Sequence, residues 1–199
     1  KYIKEQALGR IYNISINVNS YMPSWHKYEG YNTFYAGRSD LGGGVVLTEI
    51  HEIDLLNSFF GVPDHLYAIG GKRSSLELDI EDNVSVLMGY EKSDNTFAVT
   101  LNMSFVQKTP LRQFQIFGEY GNILWDISKD TIVLNDFVHG FINKHCFNDF
   151  ERNSMFRDQM LHFIESVKNK TMPITNLANV VDGHKIALNI KKAIAGHNS

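Results

Sequence analysis

The sequence predicts an α+β domain: an open, mainly antiparallel β-sheet with helices packed on one face. Three observations carry this. Six alternating apolar segments follow one another between residues 65 and 134, separated by short polar turns. Short turns join antiparallel neighbours, because parallel neighbours need a crossover of about a dozen residues or more. Segments with helical spacing flank that block instead of alternating with its strands.

Taken in order, Lys1–Leu8 reads as the last turns of a helix, closed by Gly9. The chain opens on Lys1 in mid-pattern, which predicts a fragment that lacks its N-terminal part. Ile11–Asn19 alternates, with Ile14, Ile16 and Val18 on one side and Ile11 as the misfit. Residues 20–40 are irregular and rich in aromatics, as in a functional loop. Gly42, Gly43 and Gly44 open one buried helix over Val45–Phe60, stopped by Gly61 and Pro63. The predicted strands are His65–Gly70, Asn83–Tyr90, Phe97–Phe105, Arg112–Gly118, Asn122–Ile127 and Thr131–Leu134. A loop over Asn135–Asn148 follows. Two helices close the chain, one with Phe156, Met160, Phe163, Ile164 and Val167, the other with Leu177, Val180, Val181, His184, Leu188 and Ile194 on its apolar stripe. Thr175 or Asn176 caps the second, and His184 reads as a packed core histidine. Val84, Val86, Met88, Leu101, Met103 and Phe105 predict that the open sheet face is covered by a second copy.

Composition narrows the function. The 199 residues carry 19 Lys and Arg against 22 Asp and Glu, a net charge of −3. Bulk attraction to nucleic acid or anionic membrane is therefore not expected. No apolar run reaches the length of a membrane span. The lone Cys146 and the lack of a signal peptide fit a reducing, cytoplasmic setting.

The densest chemistry lies in residues 42–54. On a continuous helix Thr48, His51 and Asp54 share a face, and a histidine at a helix start beside an aromatic loop fits an acid/base role. The plainer reading is a helix whose His and Asp only cap and solvate. Trp25, Tyr31 and Tyr35 offer flat apolar faces to sugar rings, with His26 and Arg38 as polar anchors; the plainer reading is an aromatic plug. Metal is not expected: His51-Glu52 begins like a zinc-protease helix, but Leu55 stands where the second His is required. His139, His145, Cys146 and Asp149 match no ligand spacing. Phosphate-cradling glycine motifs after a strand are missing from the sequence.

Five segments in order resemble the C-terminal domain of the glucose–fructose oxidoreductase/inositol dehydrogenase/MocA family. Leu8-Gly-Arg-Ile11 is similar to its "lG-x-i". Tyr21-Met-Pro-Ser-Trp-His26 with Tyr31 and Phe34-Tyr35-Ala36 resembles "ylPdWhp…dyr…Ysa". Gly42–Asp54 resembles "GGGvllDeiHeiD", Asp79–Asp82 resembles "DvED", and Phe117–Gly121 resembles "iiGe-x-G". The resemblance implies a sheet domain like the C-terminal domain of glyceraldehyde-3-phosphate dehydrogenase, spanning residues 1–199. It also implies an N-terminal Rossmann domain, absent from this chain, that binds NAD or NADP. The implied reaction is hydride transfer to or from a sugar, sugar-nucleotide or inositol-like substrate.

By the same resemblance His51 is the catalytic residue. Trp25, His26, Tyr35, Arg38, Thr48 and Glu49 contact substrate, and the chain forms a homo-oligomer through its open sheet face. Thr48 stands where this branch carries an Asp, and Thr cannot supply that negative charge. On a continuous helix Glu49 points about 100° away from it. The chain alone is expected to be inactive and to bind no cofactor. The rival reading is a non-catalytic sugar-binding or dimerisation module without a cofactor site.

Overall fold

The computed structural model describes residues 2–3, 5–147 and 150–196. Eight strands form one sheet in the order β2-β3-β4-β1-β5-β6-β7-β8. They are β1 (Ile11–Tyr21), β2 (His65–Gly71), β3 (Asn83–Lys92), β4 (Asn95–Ser104), β5 (Val106–Gly118), β6 (Gly121–Asp126), β7 (Thr131–Asp136) and β8 (Phe141–Cys146). The helices are α1 (Val45–Thr48), α2 (Ile50–Phe60), α3 (Arg152–Asn169) and α4 (Leu177–Gly196). All pairings are antiparallel except β1 with β4. The fold class is the predicted one.

The first strand is the centre of the sheet. β4 and β5 are separated in sequence by Phe105 alone, yet they do not pair; each pairs with β1 from its own side. This corrects the expectation that every short turn joins paired strands. The burial of Ile11 also has a local cause. Ile11 faces Gly118 and Asn13 faces Phe117, so β1 carries one extra residue at Tyr12. The bulge turns Tyr12 outward and brings Ile11 to the same side as Ile14, Ile16 and Val18.

Helices cover one face of the sheet: α4 packs on β2, α1 on β3 and β4, and α2 sets Phe60 against Tyr90 and Phe97 and Phe59 against Phe114. Beneath them lie Val84, Val86, Met88, Leu101, Met103 and Phe105, all buried within this one chain. They therefore do not argue for a covering partner, as the sequence reading had them do. The opposite face carries Ser15, Asn17, Ser85, Thr100 and Asn102, with Tyr67, Ile69 and Leu87 exposed among them. Each core aliphatic contributes about 1.5–3 kcal/mol by leaving water.

Other expectations are corrected. The described part of residues 2–8 forms turns, not a helix, although Gly9 does take the left-handed conformation at φ +65°. β8 lies inside the stretch predicted as loop. The apolar stripe of α4 is rotated: Ile186, Ala187, Ile190 and Ile194 are buried, whereas Leu177, Leu188 and His184 are exposed. His184 is thus not a core histidine. Asn176 caps α4 as predicted, its Oδ1 accepting from the Asn179 N–H at 3.2 Å. On α3 the stripe from Phe156 to Val167 is exposed, and only Ser166 is buried.

Candidate functional site

The predicted single helix over 45–60 is broken. α1 ends at Thr48, Glu49 leaves helical geometry at φ −96° and ψ +31°, and α2 starts at Ile50. The glycine run fixes where this pair of helices begins. A Cβ on Gly43 would lie 2.5 Å from the Tyr35 carbonyl, and one on Gly44 would lie 2.2 Å from Glu81 Oε1. Only glycine permits that approach, and Gly44 also has φ +111°. Lys191 of α4 holds the Glu81 carboxylate by both oxygens, at 3.1 and 3.0 Å.

The break sets Glu49 into a cleft of about 510 Å³ with Trp25, His26 and Arg112. The end of β1 (Val18, Asn19, Ser20) and Arg152 at the start of α3 complete much of its wall. On a continuous helix Glu49 would point about 100° from Thr48; the break removes that constraint. Trp25 is held edge-on against Phe105 at 5.1 Å, and His26 edge-on against Phe34 at 5.1 Å. His26 Nδ1 lies 3.2 Å from the Tyr28 hydroxyl. Trp25 and His26 thus both pack against neighbouring rings and border the cleft, whereas Tyr31 and Tyr35 do not line it.

Charge in this cleft is unevenly paired. Arg112 Nε donates to Glu52 Oε1 at 2.6 Å, and Glu52 is buried. Burial, reinforced by the neighbouring Glu52 charge, pushes the Glu49 carboxyl up to about 7, against the pull of Arg112. The Oγ1 of Thr48 and the Oγ of Ser20 are buried with no hydrogen-bond partner among the described residues.

The remaining predicted residues are elsewhere. His51 borders a second cleft, of about 560 Å³, between α2 and α4, with Asp54, His184, Leu177, Val180 and Val181. Tyr35 is exposed and meets Phe34 edge-on at 5.8 Å. Arg38 forms a two-pronged pair with Asp40, at 3.0 and 2.5 Å, in a third surface groove. That pairing raises the Arg38 pKa and lowers that of Asp40. So Trp25, His26 and Glu49 come together, while His51, Tyr35 and Arg38 do not join them.

Sequence reasoning missed Glu52, Arg112 and Arg152. Glu52 had a readable signal, being three residues after Glu49 and beside the buried Ile53. Arg112 had none, since its partner lies 60 residues away in sequence.

The glycine run does not form a phosphate cradle. The space beside Gly44 is filled by a carboxylate, which would repel a phosphate, and α1 has only four residues. Among the described residues no group of three or more His, Cys, Asp and Glu side chains converges on a metal position. His139 instead pairs with Asp136, and Asp149 lies outside the described residues. No described helix is long and apolar enough to cross a membrane.

Solved structures share this fold. Levoglucosan dehydrogenase, in a complex with NADH and levoglucosan, superposes with a TM-score of 0.78 at 13% identity, covering 98% of this chain and 60% of that one. UDP-N-acetylglucosamine 3-dehydrogenase from Acidithiobacillus ferrooxidans gives 0.72 at 14% identity, covering 97% and 56%. Aldose-aldose oxidoreductase from Caulobacter crescentus, complexed with glycerol, gives 0.78 at 14%, covering 98% and 57%. The chain therefore spans between half and two thirds of the length of these proteins. No curated protein matches it in sequence. A family model, GFO/IDH/MocA C-terminal domain, matches residues 1–124, which hold the central strand, the aromatic loop, the glycine run and Glu49. The chain belongs to the GFO/IDH/MocA C-terminal domain family.

Proposed function

We propose that this chain is the substrate-binding and oligomerisation domain of an NAD(P)-dependent oxidoreductase that acts on a sugar-type substrate. The cofactor, NAD or NADP, supplies hydride chemistry from a domain outside this chain. The observation that carries the reading is the cleft in which Trp25, His26, Glu49 and Arg112 meet: a flat apolar face beside polar and charged groups suits a polyhydroxylated ring. Family membership and fold neighbours that bind NADH, levoglucosan and L-sorbose support it. His51, in the neighbouring cleft between α2 and α4, keeps the role of acid/base or substrate anchor that the family resemblance gives it, and the open sheet face that of the oligomer surface.

The test uses the full-length protein. NAD(P)H binding together with sugar-dependent reduction or oxidation of the nicotinamide supports the reading. Absence of NAD(P)H binding overturns it and leaves the non-catalytic binding module.

A further inference from the structure

We propose that Glu49 holds the ligand of the Trp25 cleft as an uncharged carboxylic acid, donating a hydrogen bond to a hydroxyl or carbonyl oxygen, so that binding takes up a proton from solvent. This rests on the sugar-pocket reading and adds the group that fixes the ligand's orientation.

The argument starts from pairing. The one guanidinium whose charge pulls on Glu49 is Arg112 of β5, and it is spent on Glu52 of α2 through a 2.6 Å hydrogen bond. Among the described residues Glu49 has no ion-pair partner of its own. Two charges act on it, Glu52 from α2 and Arg112 from β5, and His26 from the segment after β1 and Arg152 from the start of α3 line the same cleft. Glu52 repels a second negative charge. Burial acts in the same direction, and the carboxyl is held near 7 rather than in the ordinary carboxylate range.

A ligand entering the cleft displaces the water that still reaches Glu49. That removes more solvation from the charged form than from the neutral one. Only the neutral form has a proton to donate. Both effects favour the protonated acid in the complex. The ligand that fits is an uncharged polyol or sugar with an acceptor oxygen beyond the edge of Trp25.

The experiment is isothermal titration calorimetry on the full-length protein, with L-sorbose and levoglucosan as probes, in two buffers of different ionisation enthalpy. We expect affinity to fall about fivefold or more between about pH 6 and about pH 8, with proton uptake on binding near neutrality. Glu49→Gln keeps an N–H donor but cannot ionise, so its affinity stays constant over that range and no proton is taken up. His26→Gln keeps the proton uptake. Binding without proton uptake in the wild type, proton release, or uptake that persists in Glu49→Gln overturns the proposal and leaves the pocket reading standing. If Glu49→Gln does not fold, the wild type and His26→Gln decide: loss of uptake in His26→Gln transfers the role to His26. Failure of both sugars to bind overturns the pocket reading and this proposal with it.

Discussion

Arg112 on β5 and Glu52 on α2 are joined by a 2.6 Å hydrogen bond between Nε and Oε1 that ties the helix carrying the site to the strand beneath it. The pair is unequal: the Glu52 side chain is 5% exposed and that of Arg112 38%. Removing Arg112 strands a buried carboxylate whose Oε2 already has no partner among the described residues. Arg112→Ala is expected to lower folding stability by about 2–3 kcal/mol. Glu52→Gln combined with Arg112→Met removes both charges and is expected to lose about half as much or less. Urea unfolding of the two variants checks this, and equal losses would show that the charges are not coupled.

Glu49 makes stability fall as pH rises. Its carboxyl ionises near 4.5 when unperturbed and near 7 in the fold. Below about 4.5 both folded and unfolded chains hold the proton. Between about 4.5 and about 7 the folded chain holds it and the unfolded chain has lost it, so stability drops; above about 7 the drop is complete. After discounting for the part of the side chain that water reaches, the total is about 2 kcal/mol. Other carboxylates slope the opposite way, so the measured quantity is the difference between wild type and Glu49→Gln in urea melts across that range. A difference that does not change with pH removes the raised carboxyl.

Two of the three clustered glycines differ sharply in what an added methyl group meets. Gly42 has φ +78° with open space around it, so Gly42→Ala is expected to lose only the left-handed backbone term, about 1 kcal/mol. Gly44 has φ +111° and faces the Glu81 carboxylate that Lys191 holds. Gly44→Ala must push that carboxylate off the lysine, and a loss of about 3 kcal/mol is expected. Thermal or urea unfolding separates the two, and equal losses would mean that the Glu81–Lys191 pair yields freely.

The strands were legible because a half-covered sheet writes itself into alternation: Val84, Val86 and Met88 are buried and Ser85 and Leu87 are not. Their order was not, because the pairing of β1 with β4 and β5 joins residues such as Asn13 and Ala98, or Ile11 and Gly118, far apart in the chain and leaves no local mark. The phase of α4 failed for a related reason. Leu177, Val180 and Val181 are as apolar as the buried Ile186 and Ile190, and which stripe turns inward is decided by what α4 packs against. The aromatic loop and the glycine run drew attention to the site by residue type. The break at Glu49, which decides what enters the cleft, has no glycine or proline within residues 45–60 to announce it.

Trp25 separates packing from binding. Its ring is edge-on to Phe105 at 5.1 Å and tilted toward Phe34 at 6.0 Å, and the same residue borders the Glu49 cleft. Trp25→Phe keeps an aromatic face and is expected to bind L-sorbose or levoglucosan within about threefold of the wild type. Trp25→Ala removes the face and is expected to weaken binding about tenfold or more, with about 1–2 kcal/mol of stability lost from the Phe105 contact. His51→Ala, in the neighbouring cleft, is expected to keep that stability and to lower kcat about a hundredfold or more in the full-length protein, as loss of an acid/base should; a raised KM with kcat unchanged would make it an anchor instead. Calorimetry, urea unfolding and steady-state kinetics on the three variants read these effects separately. Unchanged sugar affinity in Trp25→Ala would reduce the tryptophan to a plug and move the ligand to the His51 side, because the two clefts share no lining residue.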